Sequence, residues 1–184
     1  MGPWEREYTV NTIKDLKDEP DKYVMDISTK KGNFGLKLFD ADLVTLVAKR
    51  KKDKLALAQK NFKFCTEPSM DLHDPDDHKI GKVKQDGVCQ FCITVRCSPK
   101  KEEDILLRQR CVFCAICTVP FDILSEGGEV IGTIERQMMG MGCCDLGQYA
   151  IEFPKKCSSN AKLCILYGCI MLESIRDRKK NNNG

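Results

Sequence analysis

The run Leu163-Cys164-Ile165-Leu166-Tyr167-Gly168-Cys169-Ile170-Met171-Leu172 decides how the chain is read. It is apolar on every side. A surface helix keeps one polar face, so a helix apolar all round must be buried. A bilayer crossing needs about 20 such residues, and this run has ten before Glu173 and a charged tail. The physics favours a helix near residues 160–174, sheathed by strands. Its expected core positions are Leu163, Ile165, Leu166, Cys169, Ile170 and Leu172.

Outward from that helix, the chain upstream reads as short strands. Tyr23, Met25 and Ile27 alternate with Val24 and Asp26. Phe34, Leu36 and Leu38 follow the same pattern, and Leu43 to Ala48 is a short apolar run. Phe62 with Phe64, Ile93 with Val95, Ile105 to Leu107, Phe121 to Leu124, and Val130 to Ile134 complete the set. Alternation over four to eight residues marks strands with one buried face. Turn clusters punctuate them at residues 40–42, 74–77, 98–101 and 125–128. Strands separated by turns, with no helix between them, predict an antiparallel sheet closing into a barrel or sandwich.

The sheet carries an internal repeat. Met70-Asp71-Leu72 leads to Ile80-Gly81-Lys82-Val83, and Phe121-Asp122-Ile123 leads to Ile131-Gly132-Thr133-Ile134, 51 positions later. Two copies are too few for a solenoid, so the reading is two equivalent hairpins in one β domain. Each repeated Gly marks a bulge or a close backbone approach.

Composition narrows the class. A chain of 184 residues, 42% hydrophobic and 31% charged, suits one globular domain. Residues 1–22 read as an arm or linker, 23–175 as the β domain and 176–184 as a basic polar tail. The outlying count is 12 cysteines. The sequence opening at Met1-Gly2-Pro3 has no apolar leader, so a disulfide scaffold is not expected. Arg6 stands where N-myristoylation needs Ser or Thr. Net charge is only +3, but from Lys155 onward seven basic residues face two acidic ones. A second basic run holds Lys49, Arg50, Lys51, Lys52 and Lys54. With Arg176, Arg178, Lys179 and Lys180, these are the candidate contacts for anionic lipid headgroups, at roughly 1 kcal/mol per residue near the surface. The competing reading is a solvated turn and a frayed tail.

The cysteines allow a different chemistry. Cys89-x-x-Cys92 and Cys111-x-x-Cys114 are 18 residues apart, within zinc-ribbon spacing. The intervening residues are apolar and strand-prone, however, and on a strand i and i+3 point to opposite faces. Buried or surface thiols are therefore favoured over zinc, and a zinc-ribbon nucleic-acid binder is kept as an alternative. His73 and His78 flank an acidic turn without a paired nucleophile. Residues 71–76 fail the calcium-loop pattern, because His73 and Pro75 fall at ligand positions. No phosphate loop or catalytic triad is visible, so an enzyme is not expected.

The order of these pieces resembles the C-terminal half of the phospholipid scramblases, a family with a tubby-like barrel. Ile80-Gly81-Lys82-Val83-Lys84-Gln85 is similar to the family's P-[IV]-G-x-[VI]-x-Q strand. Residues 111–117 resemble its G-P-C-x-x-C-x-C segment. Phe121-Asp122-Ile123 and Val130-Ile131-Gly132-Thr133-Ile134 resemble its paired strands. Tyr149-Ala150-Ile151-Glu152-Phe153-Pro154 resembles the end of its D-A-D-x-F-G-[IL]-Q-F-P segment, and the run from Lys162 to Glu173 resembles its last helix. The resemblance implies an antiparallel tubby-like β-barrel, reduced in strand number here or complete, enclosing that helix.

It also implies a function. Such a protein moves phospholipids between leaflets without ATP, classically on binding calcium, at the cytoplasmic face of a membrane, first of all the plasma membrane. Its partner would be an anionic phospholipid membrane, with no nucleic acid. The family's calcium segment keeps only Asp145 here. Gly147 replaces an acid, and Lys155, Lys156, Cys157 and Ser158 occupy the L-D-L-D positions. Ammonium groups in place of oxygen ligands repel Ca²⁺. The family's palmitoylated cysteine cluster is missing near Lys51 to Gln59, which leaves Cys111, Cys114, Cys117, Cys143 or Cys144 for acylation. The alternative to transport is a membrane-docking, phosphoinositide-binding module.

Overall fold

The computed structural model describes residues 7–12, 22–30, 45–61, 68–88, 93–110, 118–137 and 148–182. Alternating residues form strands, beginning with β1 (Glu7–Thr12), β2 (Lys22–Lys30), β3 (Thr45–Arg50) and β4 (Asp53–Asn61). Then come β5 (Ser69–His73), β6 (Lys79–Val88), β7 (Ile93–Pro99) and β8 (Ile105–Gln109). β9 (Thr118–Leu124), β10 (Val130–Gln137) and β11 (Gln148–Glu152) precede one helix, α1 (Ser159–Asn182). The strands make one antiparallel sheet in chain order from β1 to β11. Along β7, Ile93, Val95, Cys97 and Pro99 face inward, and the residues between them are half-buried.

Several expectations change. The segment set apart as an arm supplies β1, which pairs with β2. β4 was not read at all. Its inward positions are Ala56 and Ala58, both fully buried, so the alternation there is one of small residues. The helix continues past Glu173 to Asn182, taking in most of the tail. Closure differs too: among the described residues the sheet runs from β1 to β11 with no pairing that joins its edges. The stretches around Phe34, Leu36 and Leu38, and around Phe62 and Phe64, lie outside the described residues.

The helix is the centre of the core. Every residue from Tyr167 to Ile175 is buried. One apolar cluster runs from Ile27 of β2 to Ile134 of β10 and includes Ile165, Tyr167, Met171 and Leu172 of α1. The sheet therefore curls around the helix. Each large side chain taken out of water contributes roughly 1.5–3 kcal/mol. Among the named core positions, Ile165, Cys169, Ile170 and Leu172 are buried, while Leu163 and Leu166 are half-buried near the helix start.

Close approach of helix and sheet depends on glycine. A Cβ on Gly81 would lie 2.5 Å from Cys164 Sγ, and one on Gly168 would lie 2.5 Å from Leu107 Cδ1. The helix is launched by Ser158, whose Oγ accepts the Ala161 N–H at 3.0 Å and donates to Glu102 Oε1 at 2.5 Å. That arrangement is an N-cap, tied to the β7–β8 hairpin.

The repeat is structural. Asp77 N–H donates to Asp74 O in the first turn, and Gly128 N–H donates to Ser125 O in the second. Asp77 and Gly128 both have positive φ, at 67° and 84°. His78 N–H donates to Asp74 Oδ1, and Glu129 N–H donates to Ser125 Oγ. The register then slips at Ile80 and at Ile131, just before the repeated glycines. Both alternatives offered for those glycines hold: a bulge precedes each, and each accepts a close neighbour.

Candidate functional site

Strand direction sorts the candidate residues into two ends of the molecule. The β3–β4, β5–β6, β7–β8 and β9–β10 hairpins turn at one end. α1 starts at that end, beside Glu102. It then passes Gly81 at Cys164 and reaches Cys97 and Leu107 at Gly168. At a rise of 1.5 Å per residue its 24 residues span about 36 Å. The ten residues of β6 span about 33 Å. Positions 176–182 therefore reach the end opposite the hairpins.

The basic run at residues 49–54 is the tip of the β3–β4 hairpin. Lys49, Arg50, Lys51, Lys52, Asp53 and Lys54 are all exposed. Lys49 and Lys54 are cross-strand partners, and Arg50 faces Asp53. Like charges directly opposite one another are destabilising, so this tip gains from an anion. Lys51 holds the turn with φ 56°. Arg176, Arg178, Lys179 and Lys180 lie in the last turns of α1, where cations suit the helix dipole. The sequence treated the two basic segments as one lipid contact, but the fold puts them at opposite ends.

The remaining candidates divide cleanly. Cys89, Cys92, Cys111, Cys114, Cys117, Cys143, Cys144 and Asp145 lie outside the described residues. The described cysteines are Cys97, Cys157, Cys164 and Cys169, all free thiols. Burial pushes the thiols of Cys97 and Cys169 well up, and pushes Cys164 up to about 12. These groups are packing atoms. Cys97 Sγ donates to Cys164 O at 3.3 Å. Burial likewise raises the phenol of Tyr167, opposed by the Ala48 backbone.

The acidic turn also resolves into structure. Asp74, Asp76 and His78 place their ligand atoms within 4.8 Å of one another. Asp74 is already occupied: it accepts the Asp76 and His78 amides at 3.0 and 2.8 Å, and meets His78 Nδ1 at 3.2 Å. The bond from the His78 amide leads the effects that hold its carboxyl below the usual range. Ser125 does the same capping work in the second repeat.

One feature went unread in the sequence. Val130 and Ile131 are exposed, at 57% and 36%. They stand at the hairpin end of β10, where the bulge breaks the alternation before Gly132. That break is the signal that could have revealed them. Gly132 packs against Glu152 O and lies within reach of Pro154 N, with 3.4 Å from a Cβ there to that nitrogen. Lys155 and Lys156, both exposed, follow directly.

A family model described as Scramblase matches residues 12–175. The chain belongs to the Scramblase family. No curated protein and no solved structure matches it. For this scramblase-family chain, membership points to phospholipids and membranes as the class of partner, and to lipid handling rather than covalent catalysis. No helix among the described residues is long and apolar enough to cross a membrane.

Proposed function

We propose that this chain is a phospholipid scramblase-like protein that docks on anionic membrane and promotes ATP-independent, two-way exchange of phospholipids between leaflets. The family match supports the lipid class. The observation that carries docking is the β3–β4 tip, where five cations accompany one carboxylate and Lys49 is paired across the strands with Lys54. Anionic headgroups relieve that repulsion, and the attraction is screened within a Debye length.

A second reading is a docking module that binds anionic phospholipid, phosphoinositides included, without moving lipids. Burial of every residue from Tyr167 to Ile175 favours it, since that apolar stretch of α1 is committed to the protein's own core. Vesicles bearing a fluorescent lipid separate the two. Protection of the dye from an external quencher reports leaflet exchange, with calcium and with chelator. Exchange above protein-free vesicles supports the transporter. Binding to anionic vesicles with no exchange in either condition leaves the module. Absence of binding sinks both.

A further inference from the structure

The two basic segments lie at opposite ends of a sheet about 33 Å long, so one flat membrane cannot meet both. Val130 and Ile131 choose between the ends. Among the described residues they are the exposed large apolar side chains. The repeat shows that the fold does not require them there. The position equivalent to Val130 is Lys79, 52% exposed and ion-paired with Asp71 at 2.6 Å. The position equivalent to Ile131 is Ile80, which packs against the core and whose carbonyl accepts the Lys100 N–H at 2.8 Å. The second copy instead presents two aliphatic side chains to solvent. Gly132, the next residue, approaches Pro154, and the exposed Lys155 and Lys156 follow Pro154 directly at the same end of the sheet. Aliphatic groups flanked by long cationic ones are the chemistry of an interfacial contact: the apolar part enters the acyl boundary and the ammoniums remain at phosphate level.

We infer that the hairpin end of the sheet faces the bilayer, with Val130 and Ile131 inserted into an anionic phospholipid surface and Lys155 and Lys156 on its phosphates. The C-terminal end of α1 then points away from the membrane. Glu126 and Glu129 share the β9–β10 hairpin, so this contact depends on the aliphatic pair together with the two lysines, not on the hairpin's net charge. The inference rests on the docking reading above.

The test uses the full chain and vesicles of phosphatidylcholine, alone or mixed with phosphatidylserine. The double variant Val130→Ser/Ile131→Ser should bind mixed vesicles about tenfold more weakly, as expected for two partly inserted side chains. Its melting transition should stay cooperative and fall only slightly, because Val130 is exposed where its counterpart is a lysine and Ile131 is only partly covered. Separately, Ile131→Trp in a Trp4→Phe background should shift its emission to the blue on mixed vesicles and be quenched by bromine-labelled acyl chains. Wild-type binding by the serine double variant, with no emission shift from the tryptophan, overturns the inference and leaves docking intact. So does loss of binding in Arg178→Gln/Lys179→Gln/Lys180→Gln with the serine variant unaffected. A wild-type chain that binds no mixed vesicle overturns docking itself, and this orientation with it.

Discussion

A Cβ on Gly168 would sit 2.5 Å from Leu107 Cδ1 and 2.9 Å from Cys97 Sγ, both fully buried. Gly168→Ala should therefore cost about 1–3 kcal/mol, the usual penalty of overpacking. Shortening Leu107 to Val in the same chain should recover part of that loss in a denaturant titration. Gly132→Ala should be worse, because the atom it meets first is a backbone carbonyl, Glu152 O, which cannot rotate away. Gly127→Ala is the control, with its nearest neighbour 3.7 Å away, and should be neutral. The thiols make a second residue-scale prediction. Among the described cysteines, Cys97, Cys164 and Cys169 should resist alkylation in the native state and half-buried Cys157 should label before them, read by peptide mass spectrometry. Burial raises the Cys164 pKa from 9.0 to about 12, so the unfolded chain loses its proton first. The resulting stability is complete below pH 9, declines by about 1.4 kcal/mol per pH unit above it, and is gone once the native thiol titrates. Cys164→Ala should flatten that alkaline decline.

α1 is the element on which the rest depends. Its burial was legible from ten apolar residues too few to span a bilayer. Its true end at Asn182 was not, because residues 176–182 are polar and carry no apolar periodicity. Ser158→Ala removes the N-cap bond to Ala161 and should cost about 1 kcal/mol. Glu102→Ala, which removes only an exposed partner of Ser158, should cost less. A chain ending at Asn160 separates core helix from membrane anchor. Without α1 the inner faces of β2 to β10 lose the surface they pack on, so this chain should lack a cooperative melt and bind a hydrophobic dye. A folded, dye-silent product would overturn burial in the sheet.

At the scale of the whole molecule, the antiparallel sheet was legible because each strand is followed by the strand it pairs with. A turn cluster and an alternation suffice to announce such hairpins. β4 escaped notice because its buried face is alanine, and β1 because a short polar strand has little periodicity to show. The candidate site was only half legible. Residues 49–54 and 176–180 announce their charge, but only strand direction reveals that they lie at opposite ends. The exposed Val130-Ile131 pair shows in sequence only as two consecutive apolar residues before Gly132, a small break in an otherwise inward-reading strand. The repeat was legible from Ile-Gly at fixed spacing, and the equivalence extends to hydrogen bonds, positive φ and bulge. That supports an exchange of turns. Residues 74–78, Asp-Pro-Asp-Asp-His, replaced by residues 125–129, Ser-Glu-Gly-Gly-Glu, should leave the melting transition cooperative and lower stability by no more than about 1 kcal/mol. The capping oxygen of Asp74 is replaced by that of Ser125, and Gly takes the positive φ of Asp77 with less strain. The contact of His73 Nδ1 with the largely exposed carboxylate of Asp77, at 3.4 Å, disappears in the exchange but contributes little in water. Loss of cooperativity in the exchanged chain would mean that the Asp74–His78 cluster does more than close a hairpin.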